Sequence, residues 1–167
     1  LVIAFAIALS PIVEWNAALQ FPEWTGAVGR YLAEMEKQAE TLVKVFTSNL
    51  TPATFTLVFV VVAIIPAVGE EFVFRGLIQT ELQRAFGNPH VAIWLAAAFF
   101  SAFHFQSLGF FPRMLIGALL GYIYFWSGNL WIPMVLHFLN NGLQVIALYL
   151  KQLGVITIDL ESPESAP

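Results

Sequence analysis

FTLVFVVVAIIPAVGEEFVFRG, residues 55–76, decides the fold. Its first fourteen residues carry no charge, and two carboxylates and a guanidinium follow at once: Glu70, Glu71 and Arg75. One ionisable group at the centre of a bilayer costs about 2.5–3.5 kcal/mol on insertion scales. A chain keeps three there only if they are paired, solvated in a cavity, or used.

The rest of the chain agrees with a membrane setting. Of 167 residues, 59% are hydrophobic and 11% charged, against about 25% charged in a soluble domain. The composition predicts an all-α polytopic transmembrane bundle, an integral membrane protein crossing several times. The seven basic residues are scattered and the net charge is −4, so no basic stripe offers itself to nucleic acid. With no cysteine, disulfides, thiolate nucleophiles and Cys-ligated metals are excluded.

Residues 1–9 read as the end of a span broken at Ser10-Pro11. Residues 12–27 look irregular, with Trp15 and Trp24 as interfacial anchors. From Val28 to Ser48, apolar residues recur every three or four positions opposite Glu34, Lys37, Glu40 and Lys44. That is an amphipathic helix, which either lies on the membrane surface or, the preferred reading, packs on the bundle at the interface. Thr51-Pro52 is an N-cap and first helical residue, opening a helix expected to reach Arg84, with a kink near Pro66 and Gly69. After the Gly87-Asn88-Pro89 turn, spans are expected over 90–105, 113–126 and 131–150. Gly117 and Gly121 have the spacing that permits close helix approach. Three regions emerge: 1–51, a partial span plus the interfacial helix; 52–150, the helical bundle; and 151–167, a polar tail. The loops before residue 52, near Arg113 and at Lys151 share a face carrying most of the Lys and Arg, which the positive-inside rule assigns to the cytoplasm.

Polar residues concentrate on three of these spans. Glu71 and Arg75 are four apart and share a helix face, whereas Glu70 points about 100° away. A division of labour is expected, with Glu71 and Arg75 pairing and Glu70 facing a cavity. His104 follows Phe100 by four, and Asn141 follows His137 by four. Each pair alone has a bland reading as a packed core histidine or an interhelical polar clasp. Together they suit hydrolysis. A buried carboxylate becomes a useful base, a histidine opposite it polarises the same water, and a His/Asn pair donates to the oxyanion. Glu70, His104 and His137 also match the two imidazoles and one carboxylate of catalytic zinc. No H-E-x-x-H occurs, and Asn141 is a poor zinc ligand. A metal-free glutamate mechanism uses every residue and is preferred, with zinc the alternative.

These motifs resemble the CPBP family, the CAAX proteases and bacteriocin-processing enzymes, also called the Abi family. Glu70, Glu71 and Arg75 match E-E-x-x-x-R, Phe100 and His104 match F-x-x-x-H, and His137 and Asn141 match H-x-x-x-N/D, in order. The resemblance covers residues 52–150. It implies a bundle enclosing a polar cavity and endopeptidase activity on peptides reached from the membrane. Carried over, Glu70 with His104 activates water, His137 with Asn141 forms the oxyanion site, and Glu71 and Arg75 orient them. A bacterial cell membrane is the expected location. Two other readings compete: a non-catalytic scaffold or bacteriocin self-immunity protein of the same fold, and a transporter. The wholly apolar run from Leu57 to Ala67 argues against a polar path through the membrane.

Overall fold

The structure is a computed structural model that describes residues 2–19, 25–48 and 50–156. Among these it is all helical. The helices are α1 (Val2–Ala17), α2 (Gly26–Thr47), α3 (Pro52–Phe86), α4 (Pro89–Ala102), α5 (Phe110–Ser127) and α6 (Trp131–Gln152), with a 3₁₀ turn at Ser107–Gly109. Three of them, α3, α6 and the segment Ser107–Ser127, are long and apolar enough to cross a membrane. Trp24 and the tail from residue 157 lie outside the described residues.

Local chemistry sets the helix ends. Thr51 caps α3 reciprocally with Thr54, and Pro52 occupies the first turn, as the sequence predicts. Gly87 and Gly128 close α3 and α5 in the left-handed region, at φ 64° and 60°. Asn88 accepts from the backbone N–H groups of His90 and Val91 to open α4.

Two expectations need correction. Helix α1 does not break at Ser10-Pro11; Pro11 lies inside it, and the helix continues to Ala17. Membrane-type apolar helices tolerate an internal proline where neighbours satisfy the freed carbonyl. Around Pro66, α3 also passes through two π-helical stretches that the sequence did not announce, Val60–Ile64 and Phe72–Gln79. Finally, α4 ends at Ala102 instead of reaching Phe105. At fourteen residues it spans about 21 Å, short of the roughly 30 Å hydrocarbon core. The chain turns back through Phe105, the one non-glycine residue with positive φ (54°) among those described.

Packing follows the small residues. Helices α4 and α5 lie close, with Ala97, Gly117 and Ala118 in the seam and Ile93 beside them. A Cβ on Gly117 would sit 3.2 Å from the Phe100 ring. The first half of α3 packs on α6 through Val58, Phe55, Phe59, Val145 and Tyr149. Asn16, fully buried, joins α1 to the start of α5: it donates to Ser107 O (3.1 Å) and accepts from Phe111 N–H (2.9 Å). Helix α2 touches the bundle through Glu36, which accepts from Leu108 N–H at 3.2 Å. Meanwhile Leu57, Val61, Ile65, Val68 and Phe72 stand exposed along α3. This outer apolar face is what lipid would cover, and the polar residues turn inward.

Candidate active site

Glu71 is the centre of the buried polar cluster. Its side chain is 0% exposed, and Oε1 accepts from Arg75 Nη1 at 2.8 Å and from His137 Nδ1 at 2.7 Å. The helical spacing brings Arg75 to it, and α6 brings His137. Arg75 reaches further: Nη2 donates to the Gly117 carbonyl at 3.0 Å, and the guanidinium lies 4.7 Å from the centre of the Phe100 ring. One turn on, Gln79 Nε2 donates to the Gly121 carbonyl at 3.0 Å. Arg75, held by Glu71, and Gln79 thus dock α3 onto the glycine stripe of α5.

Glu70 faces elsewhere. Its Oε2 lies 3.9 Å from Nε2 of both His104 and His137. It is a buried oxygen without a hydrogen-bond partner, on a side chain still 29% exposed. The two neighbouring glutamates thus point apart, Glu71 to Arg75 and Glu70 to the two histidines. All seven sequence-predicted residues meet here: Glu70, Glu71 and Arg75 from α3, Phe100 from α4, His104 from the turn after it, and His137 and Asn141 from α6.

His104 arrives by a different route from the one expected. It lies beyond the last residue of α4, not on it. The turn folds its ring back so that Nδ1 meets the Phe100 carbonyl at 2.8 Å. A carbonyl only accepts, so Nδ1 carries the hydrogen and Nε2 presents a lone pair towards Glu70. His104 lies outside the membrane-spanning helices, and burial, opposed by the Phe100 carbonyl, lowers its pKa from the ordinary histidine value. The neutral ring is favoured. Phe100 underlies the whole cluster, edge-on to both His104 and His137 with centroids 5.0 and 6.0 Å away.

The same logic assigns His137. Glu71 accepts at Nδ1, so Nε2 of the neutral ring is an acceptor, and Asn141 Nδ2 approaches it at 3.1 Å. Asn141 Nδ2 also donates to the Val62 carbonyl at 3.1 Å, and Asn140 Nδ2 donates to Asn141 Oδ1 at 3.2 Å.

The trio suggested for zinc does not suit it in this arrangement. The His137 lone pair is engaged by Asn141, and among the described residues no three His, Asp or Glu side chains converge at metal-holding geometry. Sequence reasoning missed Gln79, the Gly117 and Gly121 carbonyls as acceptors, and Asn16. Gln79 carried a signal, since it extends the four-residue spacing of Glu71 and Arg75. His90 is on the surface with Nδ1 2.9 Å from Tyr122 Oη.

Comparison with known proteins fits this geometry. Residues 52–143, more than half of the chain, match the family model described as "Type II CAAX prenyl endopeptidase Rce1-like". A curated relative, "Uncharacterized protein YpbD" of Bacillus subtilis (strain 168), is 35% identical over 103 residues, covering 59% of this chain and 47% of that protein. The chain thus spans about half the length of the curated relative it matches. No solved structure matches. All three motifs lie inside the matched segment, and the chain belongs to the Rce1-like family of CAAX-protease-type membrane endopeptidases.

Proposed function

We propose that this chain is an intramembrane endopeptidase that hydrolyses peptide bonds of membrane-associated peptides with a glutamate-activated water. The observation that carries the reading is the buried Glu70 Oε2, unpartnered and 3.9 Å from two imidazole nitrogens. That gap exceeds a direct hydrogen bond and suits one bridging water with contacts of about 2.8 Å.

Such a water donates one hydrogen to Glu70 Oε2 and the other to His104 Nε2. Its oxygen lone pair is then free to attack a carbonyl carbon. As attack proceeds, Glu70 takes the proton and the carbonyl oxygen becomes an oxyanion. Asn141 Nδ2 donates to it, exchanging its contact with His137. His137 Nε2 becomes a second donor only when the ring takes up a proton. Glu70 Oε2, at 3.9 Å, is near enough to pass one on through a water. Protonated His137 then stabilises the oxyanion and supplies the proton that the leaving amine needs. Glu71 and Arg75 hold His137 in this orientation and touch no reacting atom. No step passes through a metal.

The test is cleavage of a quenched peptide library by purified protein in detergent, wild type beside Glu70→Gln, with and without a zinc chelator. Glu70→Gln keeps the shape and removes the base, and a loss of at least about 10²-fold is expected. Wild-type turnover in that variant removes Glu70 from the mechanism. Activity that survives chelation supports the metal-free route, and loss on chelation with recovery on added zinc overturns it. A folded wild type that cleaves nothing favours the scaffold reading.

A further inference from the structure

His104 stands on a turn that is strained at its next residue. Phe105 takes φ 54°, a region open to glycine but crowded for a bulky side chain. Its own packing does not hold it there, since the side chain is 54% exposed. Strained backbone persists only where surrounding contacts over-determine it. Some of those contacts are local: Ser101 Oγ donates to Phe110 O at 2.6 Å, and Arg113 Nη2 donates to Gln106 Oε1 at 2.7 Å. The others come from helices far earlier in the chain. Asn16 of α1, 0% exposed, bridges the two sides of the 3₁₀ turn, donating to Ser107 O and accepting from Phe111 N–H. Only one orientation of the amide does both. Phe111 lies in the first turn of α5, whose N–H groups find no partner within their own helix. Glu36 of α2 accepts from Leu108 N–H at 3.2 Å and Ser107 Oγ at 3.4 Å. Asn16 and Glu36 both precede the family-matched segment 52–143.

We propose that Asn16 is a positioning residue of the active site: by holding Ser107 and Phe111 it keeps the strained turn closed, and so keeps the His104 ring facing Glu70. The inference rests on the protease reading above. Asn16 touches no substrate and acts only through the 103–109 turn. His104 Nε2 stands 3.9 Å from Glu70 Oε2, and a displacement of about 1 Å is enough to spoil a water held between them. The strain at Phe105 gives the released turn a direction in which to relax, which separates this role from a merely structural one. If Asn16 only joined α1 to α5, relieving the strain would not matter.

The experiment compares the full chain in detergent as wild type, Asn16→Ala, Phe105→Gly and the double variant, on the library peptide that the wild type cleaves fastest. Asn16→Ala is expected to lower kcat at least about tenfold with KM unchanged. Phe105→Gly, which accepts positive φ without strain, should stay within about twofold of wild type. The double variant should recover to within about threefold of Phe105→Gly, so the two changes are not additive. A wild-type kcat in Asn16→Ala overturns the proposal, as does a loss that Phe105→Gly leaves unrepaired. A second readout needs no turnover. The ring ¹⁵N signals of His104, recognised by their disappearance in His104→Gln, report which nitrogen carries the hydrogen. They should move in Asn16→Ala, as Nδ1 leaves the Phe100 carbonyl, and return in the double variant. Signals unmoved in Asn16→Ala overturn the positioning role even if the melting temperature falls. Should Asn16→Ala not fold, Asn16→Leu, which fills the same space without the amide, is read in its place. If wild type shows no Glu70-dependent cleavage, the protease reading falls, and the His104 signals alone decide whether Asn16 places the ring.

Discussion

Replacing Glu71 with alanine should cost far more stability than the same change at its neighbour. Glu71 is fully buried and pairs with Arg75, itself 2% exposed. Its removal strands a guanidinium whose remaining contacts are the Gly117 carbonyl and the face of Phe100. Breaking a buried ion pair from one side typically costs about 3–5 kcal/mol. His137 Nδ1 loses its acceptor in the same step. Glu70→Ala removes a partly exposed carboxylate whose buried oxygen has no partner, so it should cost no more than about 1 kcal/mol. At roughly 2–4 °C per kcal/mol for a chain of this size, the two variants should melt about 5–15 °C apart. Tryptophan fluorescence during heating in detergent reads this directly. Pairing Glu71→Gln with Arg75→Met should recover part of the loss, because no uncompensated buried charge remains. Equal melting temperatures for Glu71→Ala and Glu70→Ala would refute the division of labour between the two carboxylates.

Two further substitutions probe the frame around the site. Gly121→Ala places a Cβ 2.7 Å from Gln79 Oε1 and 3.0 Å from Ile93 Cγ2, and should lower stability by about 1–3 kcal/mol through overpacking; an unchanged melting temperature argues against close docking of α3 on α5. Asn16→Ala removes both hydrogen bonds between α1 and the start of α5 at a cost of about 1–3 kcal/mol. Hydrogen exchange at the Phe111 amide should accelerate in that variant, and an unaltered rate would mean that Asn16 does not hold this junction.

The site was legible in sequence because its geometry is largely helical spacing. Glu71 and Arg75 had to share a face, and Glu70 had to leave it, whatever packed against them. The caps at Thr51 and the stops at Gly87 and Gly128 were equally local. What escaped depended on contacts between distant segments. Nothing in FSAFHFQ marks a helix end, because no glycine or proline stands there; the turn that carries His104 is visible only once Phe105 takes positive φ. Pro11 looked like a breaker because local rules cannot see how neighbours satisfy a helix in a membrane. Asn16 sat unnoticed beside Trp15, since its two partners lie more than ninety residues away.

The pairing of Glu71 with Arg75 also bears on how α3 enters the bilayer. Both partners belong to one helix, so the ion pair can close as soon as that helix has formed, before any neighbour is in place. A nascent α3 then presents the lipid with a pre-neutralised dipole in place of two separate charges, each of which would resist insertion by about 2.5–3.5 kcal/mol. His137, on a helix made later than α3, joins Glu71 only afterwards. The order of synthesis therefore delivers the charge-neutralising contact first and the contact that completes the site last.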